Sequence, residues 1–513
     1  MKKLLFLVAA AMLSISALAQ DATVRIHDDG TGVQIPREIY GQFSEHLGRC
    51  IYGGLWVGKD SSVPNIDGYR KDVFEALKEP KVPVMRWPGG CFADDYHWMD
   101  GIGPLENRAK ISNNNWGGTM EDNSFGTHEF LNLCEMLDIE PYISGNVGSG
   151  TVEEMAKWVE YMTSGSQSTM ANLRRANGRE EPWKVKYFGI GNEAWGCGGN
   201  MTPQYYSDTY KRYATYLRNY SGNRLYKIAS GASDYDYDWT EVLMKAIGNS
   251  MSGISLHYYT CMSWSGSKGK ATVFDDDLYY DVLSKTLEIE PVLKRHIAIM
   301  DSYDPSGRVG LLLDEWGTWF DEEPGTVRGH LYQQNTLRDA IVAALNFNIF
   351  HKYTRRLKMA NIAQVVNVLQ AMILTNETEM VLTPTYHVFK MYNVHQDAEF
   401  VESDVTTKSV RANRGGNVPE VSATASRKDG VLNFDLVNTD LKASKKVLVT
   451  FDQKSVSKVI KASVLTSGDV HDYNNFGTTA NKVSEKEFKA YKVTKDGVEV
   501  TLPPCSIVAI SMN

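Results

Sequence analysis

From about residue 38 the chain repeats one pattern: a short apolar run, a polar or glycine-rich break, then a longer stretch with apolar positions three and four apart. The short runs read as strands: IYGQFSEH (39–46), PVMRWPGG (83–90), EPYISGNV (140–147), KVKYFGIGNE (184–193), KIASGAS (227–233), GISLHYY (253–259), VGLLLDEW (309–316) and MANIAQVV (359–366). Between them, stretches such as DVFEALKE, THEFLNLCEMLD, VEEMAKWVEYMTS, PQYYSDTYKRYATYLRNY and YQQNTLRDAIVAALNFNIFHKY carry helical spacing. Eight strands alternating with helices predict an α/β fold, a (β/α)8 TIM barrel over residues 38–395. The rival, a doubly wound open sheet, wants a glycine-rich phosphate fingerprint after its first strand, and G-x-G-x-x-G is absent there.

After about residue 395 helical spacing gives way to alternation. VSATASRKDGVLNFDLVN, KKVLVTFD, VSKVIKASVLTS and GVEVTLPPCSIVAISMN, with turns at Asp429-Gly430 and Asp496-Gly497, predict an antiparallel, jelly-roll-like β-sandwich over residues 396–513. TVRIHDDGTGVQIP (23–36) reads as a hairpin, and strands from residues 20–37 are candidates to complete that sandwich.

Composition supports this division, since 513 residues at 42% hydrophobic supply a large core and a smaller one. MKKLLFLVAAAMLSISALAQ places two lysines before an apolar run that ends in Ala17-Leu18-Ala19. It reads as a signal peptide, residues 1–19, and predicts an exported protein, periplasmic or secreted. The run is shorter than the ~20 residues of a membrane helix, and no later segment reaches that length, so no membrane span is expected. A net charge of −8, more acidic still once Lys2 and Lys3 leave with the leader, argues against nucleic acid as a partner. Six cysteines (Cys50, Cys91, Cys134, Cys197, Cys261 and Cys505) stand far apart without C-x-x-C spacing, and paired histidines are missing from the strand ends. Neither a metal nor a cofactor is expected.

Barrel enzymes build their sites from the carboxyl ends of strands, and nearly every strand here ends polar: Glu45-His46, Arg86, Asn146, Asn192-Glu193, His257 to Tyr259, Asp314-Glu315, Gln364. A single Glu at a strand tip reads most simply as a cap held by a local salt bridge. Glu193, in GIGNEAWG, and Glu315, in LLLDEWGTW, form a matched pair on strands 4 and 7, whose tips can face each other across the mouth. Two opposed carboxylates suit glycoside hydrolysis. A separation of about 5–5.5 Å makes the second a nucleophile, and about 6.5–9.5 Å leaves room for an attacking water. His257 shares a strand face with Tyr259, and is either a satisfied core histidine or a site residue. Of the tryptophans after the strands, Trp98 and Trp316 are expected near the site, where indole packs on sugar C–H groups; Trp87, Trp195 and Trp319 are left to packing.

The chain resembles glycoside hydrolase family 51, the α-L-arabinofuranosidases. The resemblance runs in order through YGQFSEHLGRCIYGGLW, MRWPGGCFADDYHWMDGIGP, VKYFGIGNEAWGCGG, ISLHYY, LLLDEWGTW, MANIAQVVNVLQAM and LPPCSIVAISM, essentially the whole mature chain. It implies a retaining, exo-acting enzyme that removes terminal non-reducing α-L-arabinofuranosyl residues from arabinan- or arabinoxylan-type polysaccharides or oligosaccharides. Glu193 would be the acid/base and Glu315 the nucleophile. Asn192 would bond the sugar 2-hydroxyl, Glu45 and Gln364 other hydroxyls, and Tyr259 would stand beside the nucleophile. Cys91 follows PGG where many relatives carry Asn, which implies a weak thiol contact to sugar; a Cys91–Cys197 or other disulfide stays open. The resemblance also implies homo-oligomers, often hexamers. The alternatives are a retaining glycosidase of other specificity, an endo-β-glucanase or β-xylosidase, and a catalytically silent carbohydrate-binding protein, against which the presence of both Glu weighs.

Overall fold

The computed structural model describes residues 20–453, 458–477 and 482–513; the leader expected at residues 1–19 lies outside the described residues. Eight parallel strands close a barrel: β1 (Gly41–Phe43), β2 (Val84–Trp87), β3 (Glu140–Gly145), β4 (Tyr187–Ile190), β5 (Tyr226–Ser233), β6 (Gly253–Cys261), β7 (Gly310–Trp319) and β8 (Leu357–Ala363). Each pairs with its neighbours in sequence, and β8 returns to β1 with Asn361 opposite Gly41 and Ala363 opposite Phe43. All eight expected runs form these strands. Val84, Tyr142, Tyr187, Ile228, Leu312 and Met359 pack together as an apolar floor inside the barrel. Above that floor the interior turns polar, with Arg86, Ser144 and Asp314 all buried.

One irregularity bears directly on the site. Between Leu312 and Glu315 strand β7 advances three residues while β6 advances two, from Ser255 to His257. Against β8 the same excess falls between Leu313 and Trp316. The extra residue is a bulge, which breaks the strict alternation of side chains. Asp314 and Glu315 are consecutive, yet both reach partners inside the barrel: Tyr142 for Asp314, Arg86 for Glu315.

The stretch expected to be helical from residue 332 becomes a helix only at Leu337–Phe350. Thr336 caps it, its N–H donating to Asp339 Oδ2 at 2.8 Å, while Gln333 accepts from the backbone N–H of Phe320 at 2.8 Å. Every residue of this helix is buried. Such a helix needs cover on all sides, and the sandwich supplies part of it, with Asn348 donating to Ser422 at 3.0 Å.

The sandwich has two sheets. One orders Glu399–Val401, Val421–Lys428, Val431–Asn438, Ser506–Met512, Val459–Leu465 and Glu485–Glu487. The other orders Ser403–Thr407, Ala22–Ile26, Lys445–Phe451, Gly497–Leu502 and Tyr491–Thr494. Ala22–Ile26 is antiparallel to the first of its neighbours and parallel to the second. The hairpin expected over residues 23–36 does not form, because both edges of Ala22–Ile26 are taken. The return arm pairs instead with Ala398 and Phe400 through Ile35 and Val33, at 2.8 and 2.7 Å.

Candidate active site

A cavity of about 550 Å³ opens at the carboxyl ends of the barrel strands, within the range usual for small-molecule sites. Glu45, Cys91, Glu193, Tyr259, Glu315 and Gln364 line it. Asn192 lies just beneath, buried.

The chain delivers Glu193 by an abrupt turn. Strand β4 ends at Ile190, Gly191 takes φ 87°, and Glu193 itself takes φ 39°, a left-handed conformation that costs a non-glycine residue of order 1–3 kcal/mol. Neighbouring bonds hold it there: Asn192 N–H donates to Asp94 Oδ2 at 2.8 Å, and Gly196 and Gly198 donate to the Glu193 carbonyl at 2.7 and 3.1 Å. Close approach also explains the PGG motif. A Cβ on Gly89 would lie 2.5 Å from Glu45 Cγ, and one on Gly90 would lie 2.8 Å from Glu315 Oε1.

Glu193 and Glu315 share His257. Its Nδ1 is 2.8 Å from Glu193 Oε1 and 3.5 Å from Glu315 Oε2, and carboxylate oxygens of the two Glu lie within 4.8 Å of each other. Tyr259 donates its hydroxyl to Glu315 Oε2 at 2.8 Å, and Arg86 Nη1 donates to Oε1 at 2.8 Å. The same guanidinium reaches Asn192 Oδ1 at 2.5 Å and Ser144 Oγ at 3.1 Å, and stacks over Phe43. The two Glu differ in exposure: 19% of the Glu193 side chain is open to solvent against 7% for Glu315.

The electrostatics follow from burial among charges. Burial works to lower the His257 imidazole, but Glu315, Asp314 and Glu193 outweigh it and push it up to about 10, so both ring nitrogens carry protons. Nε2 then faces Asp314 Oδ1 at 3.1 Å. Burial raises the Asp314 carboxyl, yet Arg86 and His257 hold it below its ordinary value. For Glu315 burial is the largest influence and pushes upward, the Glu193 charge adding to it and His257 and Arg86 opposing.

Glu45 accepts from the Phe92 N–H at 3.1 Å, Trp116 Nε1 at 2.9 Å and Gln364 Nε2 at 2.9 Å. Burial, and then the charge of Glu315, still pushes its carboxyl up to about 7. Gln364 keeps its Oε1 buried without a partner among the described residues, an acceptor available to a ligand hydroxyl. Cys91 lines the cavity as one half of a disulfide with Cys197, so it presents a sulfur without the expected thiol proton.

The tryptophans are distributed differently from the expectation. Trp98 is buried against Trp158 and Tyr161, with Nε1 donating to the Glu154 carbonyl at 3.0 Å, and does not line the cavity. Trp316 packs against Phe347 and Phe350 of the covering helix, because it points outward from β7 while Glu315 points in. Trp195 and Trp319, assigned to packing, line the cavity together with Trp116 and Trp264. Trp264 stands 57% exposed at the mouth and meets Trp319 edge-on at 5.3 Å. Only its place in the loop after β6 could have marked it.

Arg86, Asp94 and Asp314 also escaped assignment. Arg86 and Asp314 were visible as polar strand ends, but their partners lie on distant strands. Asp94 accepts from Val147, Gly148 and Asn192 N–H groups at 2.7, 3.0 and 2.8 Å, which ties the loops after β2, β3 and β4 together.

Comparison with known proteins bears on the identity of this site. Residues 76–277 match the family model for the alpha-L-arabinofuranosidase 1 domain, and residues 314–506 the one for the alpha-L-arabinofuranosidase C-terminal domain. The chain is 62% identical to an intracellular exo-alpha-L-arabinofuranosidase of Bacteroides ovatus, over 100% of this chain and 99% of that one. The crystal structure of the GH51 arabinofuranosidase of Xanthomonas axonopodis pv. citri superposes with a TM-score of 0.94 at 46% identity, covering 96% of this chain and 100% of that one. The Thermotoga maritima alpha-L-arabinofuranosidase, solved as an arabinose complex, gives 0.83 at 31% identity, covering 96% and 99%. These findings correct one expectation. Export was predicted from residues 1–19, whereas the Bacteroides ovatus relative, which matches this chain over 100% of its length, is named intracellular, and the expectation of export does not stand against it. Among the described residues no helix is long and apolar enough to cross a membrane.

Proposed function

This chain belongs to the glycoside hydrolase family 51 α-L-arabinofuranosidases, and on that premise we propose that Glu315 is its nucleophile and Glu193 its acid/base in a double displacement that retains configuration. The observation that carries the mechanism is the carboxylate spacing. One oxygen of each carboxylate lies within 4.8 Å of the other, which fits the short separation of about 5–5.5 Å typical of direct attack better than the about 6.5–9.5 Å of an inverting pair.

The division of roles follows the surroundings. Glu315 is held from both sides, by Arg86 on Oε1 and Tyr259 on Oε2, which fixes its direction of attack. Glu193 is the more open of the two, as suits a group that gives its proton to the leaving oxygen and later takes one from water. Glycosylation of Glu315 removes a negative charge beside Glu193, which favours its switch from acid to base. Glu45, Gln364 and Asn192 would hold the ring hydroxyls, with the disulfide sulfur of Cys91 against the ring. His257 would keep the two carboxylates in register, bonded to one and in contact with the other.

The substrate reading is a terminal, non-reducing α-L-arabinofuranosyl residue of an arabinan- or arabinoxylan-type polymer or its oligosaccharides. Its support is the cavity of about 550 Å³ at the strand ends, lined by both Glu and by aromatic side chains, together with the arabinofuranosidase names of the relatives. A homo-oligomer, a hexamer by the family resemblance, is the accompanying expectation, and sedimentation reads it directly. The roles are tested with an aryl α-L-arabinofuranoside that has a good leaving group. Glu193→Ala should keep the first step and recover turnover with azide, whereas Glu315→Ala should lose turnover outright. Activity at the wild-type level in either variant overturns the assignment.

A further inference from the structure

The second oxygen of Glu193 faces sulfur. Cys91 opens the short helical turn after β2, and Cys197 lies in the loop after β4. Their disulfide joins these loops across a Cα separation of 5.4 Å. The Cys197 sulfur is 3.5 Å and the Cys91 sulfur 3.9 Å from Glu193 Oε2, and one ligand atom from each of the three residues falls within a 4.8 Å cluster. Cys197 is exposed and Cys91 half-buried at the cavity wall, so the bond is open to a dissolved reductant.

A disulfide is a poor ligand, but once the S–S bond is broken the two thiolates, carried on Cα atoms 5.4 Å apart, can separate and form with the Glu193 carboxylate a donor set of the kind that binds Zn²⁺, with a fourth position open to water. We propose that reduction of Cys91–Cys197 creates a binding site for a thiophilic divalent cation, held by both sulfurs and Glu193 Oε2. The oxygen geometry permits it, because His257 occupies Oε1 and leaves Oε2 to the cation.

The chemistry balances with a dithiol or a phosphine as reductant. Two electrons enter the S–S bond, which breaks, and each sulfur takes a proton. A dithiol closes to its own cyclic disulfide, or a phosphine takes oxygen from water and leaves as its oxide. Cation binding then releases the two thiol protons to solvent. The functional consequence rests on the acid/base reading of Glu193. A cation on Oε2 would stop proton transfer to the leaving group, so soft metals would inhibit the reduced enzyme more strongly than the oxidised one.

The test uses the full chain, reduced with a phosphine, desalted without air and titrated with Co²⁺ or Zn²⁺. Reduced protein should take up one cobalt with a thiolate-to-cobalt absorption band that the oxidised protein lacks. Zn²⁺ should inhibit the reduced enzyme at a concentration at least about tenfold lower than the oxidised one, a loss of affinity of the size caused by removing even an outer partner of a metal ligand. Cys197→Ser should show neither the band nor the shift. If that variant does not fold, alkylation of reduced wild type decides, since Zn²⁺ should protect Cys91 and Cys197 together. Absence of the band in reduced wild type, its persistence in Cys197→Ser, or alkylation unaffected by Zn²⁺ overturns the proposal. A band without inhibition upholds the site and counts against the acid/base role of Glu193, which separates the two readings.

Discussion

Arg86 Nη1 donates to Glu315 Oε1 at 2.8 Å from below the cavity, with both side chains almost wholly buried. Removing one partner of such a pair strands a charge in the interior, at a cost of about 3–5 kcal/mol. Arg86→Met should therefore lower the melting temperature markedly. Arg86→Lys keeps the charge but not the fork that reaches Glu315, Asn192 and Ser144 together. It should fold nearly as well as wild type and lose about 10²–10³ in kcat, the usual loss when one fixed electrostatic donor is removed. Unchanged kcat in Arg86→Lys would show that the guanidinium only supports the fold.

How much of this was legible in sequence follows the range of the forces involved. The eight strands and the tips that carry Glu193 and Glu315 were readable because hydrophobic period and strand order are local, and a closed barrel leaves little freedom in where its tips point. Arg86 was readable as a polar strand end but not as a partner, since Glu315 and Asn192 come from other strands. Trp316 was misread although simple alternation from an inward Glu315 already turns it outward, whereas Asp314 was missed because a one-residue bulge in β7 brings it to the same side as Glu315, and a period of two does not reveal a bulge. The failed hairpin at residues 23–36 has a long-range cause: pairing partners more than 370 residues away compete for both edges of Ala22–Ile26.

Glu45 gives a pH dependence with a definite sign. Its folded carboxyl is raised from 4.5 to about 7, so the folded state holds a proton that the unfolded chain releases first. Stability from this group is complete below about pH 4.5 and falls as pH rises to about 7, by roughly 3 kcal/mol. Asp94, raised from 3.8 to about 7 by burial, adds a parallel decline. Glu45→Gln should remove its share and leave that of Asp94, since Gln364 can turn its unpartnered Oε1 toward the new amide. Denaturant midpoints at pH 5 and pH 7.5 measure this, and an unchanged slope in Glu45→Gln would refute it.

Asp94→Asn probes the loops rather than the chemistry. Asp94 accepts three backbone N–H groups with two oxygens, and an amide in its place turns one acceptor into a donor. Two buried N–H groups or one would lose their partner, at about 1–3 kcal/mol each. Because Asn192 N–H is one of them, kcat should fall by about tenfold or more even where the protein remains folded. Normal kcat with a lowered melting temperature would confine Asp94 to the scaffold.

Trp264 separates recognition of the departing group from recognition of the ring. It stands 57% exposed in the loop after β6, edge-on to Trp319 at 5.3 Å and to Tyr259 at 6.3 Å, so it extends the aromatic wall outward from the nucleophile. Exposure of that size means little stability is lost on truncation. An aromatic contact to the leaving sugar contributes about 0.5–1.5 kcal/mol, and Trp264→Ala should raise KM for arabino-oligosaccharides by about two- to tenfold with kcat nearly unchanged. A small aryl arabinofuranoside, which does not reach that far, should show a smaller change. Equal rises in KM for both substrates would place the effect in the ring pocket, and a fall in kcat alone would place Trp264 in support of Tyr259.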